Sequence, residues 1–459
     1  MARHRLKQYQ KDTVYEIEQT FDGRSLVSLD MGLGKTLIVL WYLHRNPQAL
    51  PAVVVCPASV KYVWEKEATE QLKVRPIVLE GTRPSKAGQF SSAPKITVIN
   101  YDILGPWLDY LKAGNPQTIV LDETHLIGNR QTARTKNCRL LCRGVPNVLA
   151  LSGTPLTNRP AELWPTLNIL RPEEFKSFWS FAHAWCDARK GFWGWTFTGA
   201  KNTKALHQLL KLSCMVRYRK KDVLAELPDK VRNVTPVPMA DPAEYKRAET
   251  DFLVWLNKKD PGRAKAAARA QKLVQMGYLK RLAAQLKVAA VAEWINNFLE
   301  TTDEKLVVFA VHKGMIRELQ TRCKTKSVTI DGSVTGRLRQ AAAAQFQNDK
   351  ATRLFFGNLQ AAGVGLTLTA ASTVVFAEMG WTPGSHTQAE DRIHRIGQMG
   401  TAFVYYLVAA GTIEAHLCEI IQEKQEIIKN VLDGGDAGES LEIYDQLLAR
   451  LQGGLIHAA

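Results

Sequence analysis

The sequence predicts an α/β protein made of two parallel-sheet lobes with helical insertions. Short runs rich in Val, Ile and Leu come in two series, each run followed by a helix-like segment, as strands buried in parallel sheets read. Between the series, residues 161 to 300 have another texture, first aromatic and then rich in Lys, Arg and Ala. At about 150 residues per domain, a chain of 459 residues has room for two or three domains.

The first series comprises Leu26 to Met31, Val53 to Cys56, Ile96 to Tyr101, Thr118 to Glu123 and Val148 to Thr154. The second comprises Lys305 to Val311, Val328 to Ser333, Arg353 to Asn358, Thr373 to Met379 and Ala402 to Ala410. A first lobe is therefore expected over 1–235, with a helical insertion at about 161–225. A second is expected over 236–459, with a basic helical insertion at about 241–300 and a helical tail at about 413–459. Nine Phe and Trp residues crowd the span from Phe175 to Phe197. They read as a satellite core under the insertion, with a base-stacking platform as the rarer alternative. The tract Arg263 to Arg281 reads as a solvated helix with a basic face.

Hydrophobic residues are 46% and charged residues 23%, which disfavours disordered, collagen-like and coiled-coil chains. No repeat period of 20 to 50 residues occurs, so a solenoid is excluded. No apolar run is long enough for a membrane span and the start Met-Ala-Arg-His-Arg lacks an apolar signal region, so a cytoplasmic protein with no membrane partner is expected. The seven cysteines form no C-x-x-C pair, so they read as free buried thiols, not as a disulfide framework or a zinc site. The net charge of +16 points to a polyanionic partner. Residues 201 to 290 hold 20 basic and 8 acidic residues, so +12 of that excess lies in one stretch.

Three motifs carry chemistry. In Ser28-Leu-Asp-Met-Gly-Leu-Gly-Lys-Thr36, glycines let backbone N–H groups curl around a phosphate, Lys35 reaches the β and γ phosphates, and the Thr36 hydroxyl can ligate Mg2+. The strict eight-residue spacing fails because Leu29 holds the first glycine position. In Val120-Leu-Asp122-Glu123-Thr-His125, a carboxylate at a strand's C-terminal end can hold magnesium and its neighbour can orient the attacking water. In Gln388-Ala-Glu-Asp-Arg392-Ile-His-Arg395-Ile-Gly-Gln398, two arginines three apart are expected on one helical face. Guanidinium groups there can neutralise the charge of a phosphoryl-transfer transition state.

With Ser152-Gly-Thr154-Pro155 between them, these motifs resemble, in kind and order, a superfamily-two helicase-type motor of the Swi/Snf family, over nearly the whole chain. Met215 to Val223, Leu227 to Lys230 and Glu378 to Pro383 match the family as well. Asp331 to Ser333, Ala362 to Thr367 and Tyr406 to Thr412 are most similar to its annealing-helicase branch. The resemblance implies two RecA-like lobes that sandwich ATP, with ATP and Mg2+ as cofactors and ATP hydrolysis as the reaction. It implies that Gln10 reads adenine, that Asp30, Gly32, Leu33, Gly34, Lys35, Thr36 and Gln388 bind ATP, and that Thr36 and Asp122 hold Mg2+. Lys35, Asp122, Glu123, Arg392 and Arg395 become the catalytic set, with His125, Ser152 and Thr154 coupling the motifs. It also implies DNA contacts by Ser59, Lys61, Trp64, Asn158, Gly363 and Thr367. The charge pattern adds Lys258, Lys259, Arg263 and Lys265 as DNA contacts.

The expected activity is that of a monomeric DNA-dependent ATPase that travels on double-stranded or forked DNA and remodels or reanneals it. A core-only chain is expected, of bacterial or phage type, working on nucleoid or phage DNA with unidentified replication or recombination proteins. A strand-separating DNA or RNA helicase would show the same motifs. A catalytically inactive DNA-binding scaffold would lack reacting groups, and none is missing; the departures, a single Asp30 before the loop's Met and Thr124 in D-E-x-H, remove none.

Overall fold

The computed structural model describes residues 6–84, 95–153, 155, 159–191, 194–197, 199–257, 265–334, 336–362, 365–433 and 447. It contains two compact α/β units, whose main segments are Met1–Leu227 and Pro228–Glu426.

In the first unit the strands are β1 (Arg24–Leu29), β2 (Ala52–Cys56), β3 (Ile77–Val78), β4 (Ile96–Asn100), β5 (Thr118–Asp122) and β6 (Asn147–Leu151). A hairpin follows, β7 (Arg189–Gly191) and β8 (Gly194–Thr196), and then β9 (Met215–Tyr218). The main sheet runs β3-β4-β2-β5-β6-β1-β9 and every pairing in it is parallel. The centre is buried on both faces: every residue of β2, β4 and β5 is buried, which explains runs such as Ala-Val-Val-Val-Cys where alternation is absent.

In the second unit the strands are β10 (Lys230–Val237), β11 (Lys305–Ala310), β12 (Ser327–Ile330), β13 (Leu354–Asn358), β14 (Ala371–Phe376) and β15 (Ala402–Ala409). Their order is β10-β15-β14-β11-β13-β12, again all parallel. All ten runs predicted from sequence are strands of these two sheets. Those missed are β3, only two residues long, β9, and β10, an edge strand whose exposed positions Val231, Arg232 and Val234 blur any apolar run. The expected lobe boundary at 235/236 falls inside β10, which pairs with β15 along its full length. The chain therefore crosses between units at Leu227–Pro228.

The first insertion holds the helices Trp164–Leu170, Phe178–Trp185 and Thr203–Ser213 and the hairpin; β9 then returns the chain to the sheet beside β1. Phe175, Phe178 and Phe181 join the buried core of the unit. The second insertion holds the helices Pro242–Asn257 and Lys265–Thr301. The latter is not simply solvated. Met276, Leu279 and Ala283 pack in one core cluster of the unit and Val291 and Ile295 in another. Its Lys287 is wholly buried, with Nζ donating to the Leu407 carbonyl and to Glu414 Oε2, both at 2.6 Å. The tail begins with the helix Ile413–Asp433. All seven cysteines are free and buried, and among the described residues no helix is long and apolar enough to cross a membrane.

Candidate active site

In the first unit β1 ends at Leu29 and the helix Lys35–Arg45 begins after five intervening residues, so the turn between them must be tight. Gly32 and Gly34 make it so, with φ of +87° and +80°, a left-handed conformation that Cβ-bearing residues adopt at a cost. At Gly34 a Cβ would also lie 2.5 Å from Gln10 Nε2, so the Gln10 amide would have to shift. Gln10 is buried, its Nε2 donates to the Leu33 carbonyl at 3.1 Å, and its Oε1 accepts from the Lys7 N–H. The Tyr9 hydroxyl donates to the same Leu33 carbonyl at 3.0 Å. Thus the helix Gln8–Tyr15, far from the loop in sequence, supports it from outside. Lys35 Nζ donates to the Leu29 carbonyl at 2.8 Å, lying back along its own loop. Asp30 is committed to the fold: Oδ1 pairs with Arg217 at 2.9 Å and Oδ2 accepts the Lys220 N–H, tying the loop to β9 and the turn after it.

Asp122 closes β5 and is buried. Burial pushes its carboxyl up to about 6 and the charge of Glu123 adds to the rise, while the Trp64 indole and Lys35 oppose it. The Trp64 Nε1–H donates to Asp122 Oδ2 at 2.9 Å, and the Tyr101 hydroxyl donates to the Asp122 carbonyl oxygen at 2.7 Å. Glu123 follows at φ +57°, a strained backbone for a residue with a Cβ. The turn aims its carboxylate differently from that of Asp122, and its Oε2 lies 3.3 Å from His125 Nδ1. Two adjacent acids thus acquire different surroundings, as separate roles in metal binding and water activation require. Ser152, buried after β6, donates its N–H to the Val27 carbonyl and joins the β6 end to β1.

In the second unit Gln388 is buried in the helix Pro383–Glu390. That helix stops before the arginines, so they do not share a helical face as predicted. A turn brings them together on one carbonyl: Arg392 Nη1 and Arg395 Nη1 donate to Leu366 O at 3.2 and 3.1 Å, and Arg395 also donates to Thr367 Oγ1. The segment is anchored by Glu390, fully buried, which accepts from Lys230, Arg232 and the Tyr406 hydroxyl. Burial alone would raise Glu390, but Lys230 and Arg232 hold it down to about 2. Asp391 pairs with Lys230 at 2.9 Å, and His394 Nε2 lies 2.7 Å from the Pro228 carbonyl, in hydrogen-bond geometry.

A family model described as the SNF2-related domain matches residues 15–287, and one described as the helicase conserved C-terminal domain matches residues 287–397. The chain belongs to the SNF2-related family. It is therefore a helicase-like ATPase. A Xenopus tropicalis relative, named SWI/SNF-related matrix-associated actin-dependent regulator of chromatin subfamily A-like protein 1, is 35% identical over 92% of this chain and 44% of its own length. The human protein named DNA annealing helicase and endonuclease ZRANB3 is 32% identical over 94% of this chain and 41% of its own. This chain thus spans less than half the length of either. The Sulfolobus solfataricus SWI2/SNF2 ATPase core in complex with dsDNA aligns at 22% identity and TM-score 0.44, over 95% of this chain and 94% of the other.

Within this SNF2-related chain the described residues read as DNA contacts differ in exposure. Trp64 is 1% exposed, and its polar edge is spent on Asp122. Lys61 is also buried, with Nζ donating to the Leu79 carbonyl at 2.9 Å. Both side chains face inward: the helix Lys61–Leu72 turns them toward the sheet and leaves Ser59 half-exposed at its start. Thr367 is exposed beside Arg395. Thr154, Asn158, Gly363, Lys258, Lys259 and Arg263 lie outside the described residues, as does the side chain of Lys265. Sequence reasoning missed the supporting roles of Tyr9, Tyr101, Arg217 and Glu390. Arg217 and Glu390 stand inside recognised motifs, so a signal existed, but their partners lie far away in sequence.

Proposed function

We propose that the chain is a DNA-dependent ATPase that translocates on double-stranded DNA and remodels or reanneals DNA structures such as forks and recombination intermediates. The observation that carries the reading is the pair Asp122 and Glu123, set in different environments beside a phosphate-binding turn. The names of the relatives, which cover nine-tenths of this chain, supply the nucleic-acid part of it.

Mg2+ suits the residues present. A hard cation that keeps water and phosphate oxygens needs few protein ligands, and Asp122 and Thr36 supply one carboxylate and one hydroxyl. Among the described residues no group of three or more His, Cys, Asp or Glu gathers as a competing metal site. Held by Asp122 and Thr36, Mg2+ would supply positive charge against the charge that develops on the phosphate oxygens. The N–H groups from Gly32 to Thr36 would cradle the phosphates, Lys35 would exchange its carbonyl partner for phosphate oxygens, and Gln10 would exchange the Leu33 carbonyl for the base. Glu123 orients the attacking water and accepts its proton, with the His125 ring 3.3 Å from its carboxylate. Arg392 and Arg395 exchange the Leu366 carbonyl for transition-state oxygens. DNA binding through phosphates is sequence-independent and weakens steeply with salt.

The test compares ATPase stimulation by duplex, single-stranded and forked DNA and by RNA at matched salt. Duplex and fork are expected to stimulate most. Strand displacement from a forked substrate would favour a strand-separating helicase, and negligible turnover under every condition would leave only a scaffold.

A further inference from the structure

The aromatic rings of the first insertion divide into a floor and a rim. Phe178 is buried in the core, with Phe197 packed edge-on against it at 5.1 Å between ring centroids. Above them Trp179 and Trp195 are 44% and 40% exposed, unusual for residues that normally bury most of a large ring. Trp179 rests on Phe197 at 5.4 Å and meets Trp195 at 5.6 Å, both edge-to-face. Exposed His183 completes the rim, 4.9 Å from Trp195 and 6.3 Å from Trp179. Contacts of this kind hold the indoles in place while leaving ring surface open to solvent.

Along the chain after Glu174 the charge of this segment is mostly positive. From Lys176 through Lys204 there are five basic residues and a single acid, Asp187, which is taken by Arg189 at 2.7 Å. Lys190 is exposed on β7 directly across from Trp195 on β8. Fixed π-faces flanked by cations suit a polyanion whose own π-faces are accessible. Duplex DNA keeps its bases stacked inside, so it could offer this pad only phosphates; an unpaired strand offers both.

We infer that Trp179 and Trp195 form a base-stacking pad for unpaired DNA nucleotides, with Lys190 on the adjoining backbone. The inference takes from the proposed function only that the ligand is DNA. It adds a site at which a motor on duplex could hold the unpaired part of a fork.

The test is fluorescence anisotropy, without ATP, of a short labelled oligothymidine and of a duplex of equal length at one salt concentration. Trp179→Ala and Trp195→Ala should each weaken oligothymidine binding about fivefold or more, with duplex binding unchanged. Trp179→Phe and Trp195→Phe, which keep a ring, should retain most of it. Unchanged single-strand binding in the alanine variants, or an equal loss on duplex, overturns the pad; so does competition by polyaspartate as effective as by oligothymidine, the mark of a general anion site. An oligonucleotide carrying 5-iodouracil supplies a check on the unaltered protein: crosslinks should map to Trp179 or Trp195, and crosslinks only elsewhere overturn the inference. Loss of duplex-stimulated ATPase would count against the proposed function and leave this binding result standing.

Discussion

Replacing Trp64 with Phe asks whether that residue serves the metal site or the DNA. Trp64 and Asp122 are both buried, and the 2.9 Å bond from Nε1 ends on a charged oxygen. A hydrogen bond to a charged group contributes about 1.5–3 kcal/mol, and about 1.4 kcal/mol is tenfold in an equilibrium. Because Trp64 opposes the rise of Asp122, its loss should lift that carboxyl above its present value of about 6. More of it would then be protonated near neutral pH and unable to hold a cation. Trp64→Phe should raise the Mg2+ concentration for half-maximal ATPase about tenfold or more, with a larger effect near about pH 6 than about pH 8. The smaller ring should also cost on the order of 1–3 kcal/mol of stability, read in a thermal melt. The DNA concentration for half-stimulation should not move. An unchanged Mg2+ requirement with a raised DNA requirement would refute the buried bond and return Trp64 to a DNA-contact role.

Glu123→Gln removes the base but keeps shape and hydrogen-bonding capacity; turnover should fall about 100-fold or more while binding of a fluorescent ATP analogue persists. Glu390 is held down to about 2, against about 4.3 for a free carboxyl. A group depressed on folding stabilises above its unfolded value and loses that contribution as the pH falls toward its folded one. Acid titration by circular dichroism should therefore show on the order of 3 kcal/mol lost between about pH 4.5 and about pH 2, and Glu390→Gln should be less stable at neutral pH with a flatter slope in that window. Lys287→Met strands Glu414 in the core and should destabilise by about 3–5 kcal/mol in urea, whereas adding Glu414→Leu should recover much of the loss.

What the sequence determined alone was whatever depends on neighbours along the chain. Buried parallel strands declare themselves as continuous apolar runs because both faces are covered, so ten strands were legible from Val, Ile and Leu alone. The tight turn before the helix Lys35–Arg45 was legible because its glycines, Lys35 and Thr36 are neighbours along the chain. The Asp122–Glu123 pair was legible because a strand end presents its last residues together. Tertiary structure decided what depends on distant partners. Edge strand β10 exposes half its residues, so only its pairing with β15 shows that the second unit starts at Pro228. Arg392 and Arg395 converge through the Leu366 carbonyl and not through helical pitch. Tryptophan is the clearest case: Trp64 and Trp195 are the same residue type with opposite exposure. Which one lies against Asp122 and which faces solvent is set by how the helix carrying Trp64 and the hairpin carrying Trp195 pack, a property that no local pattern encodes.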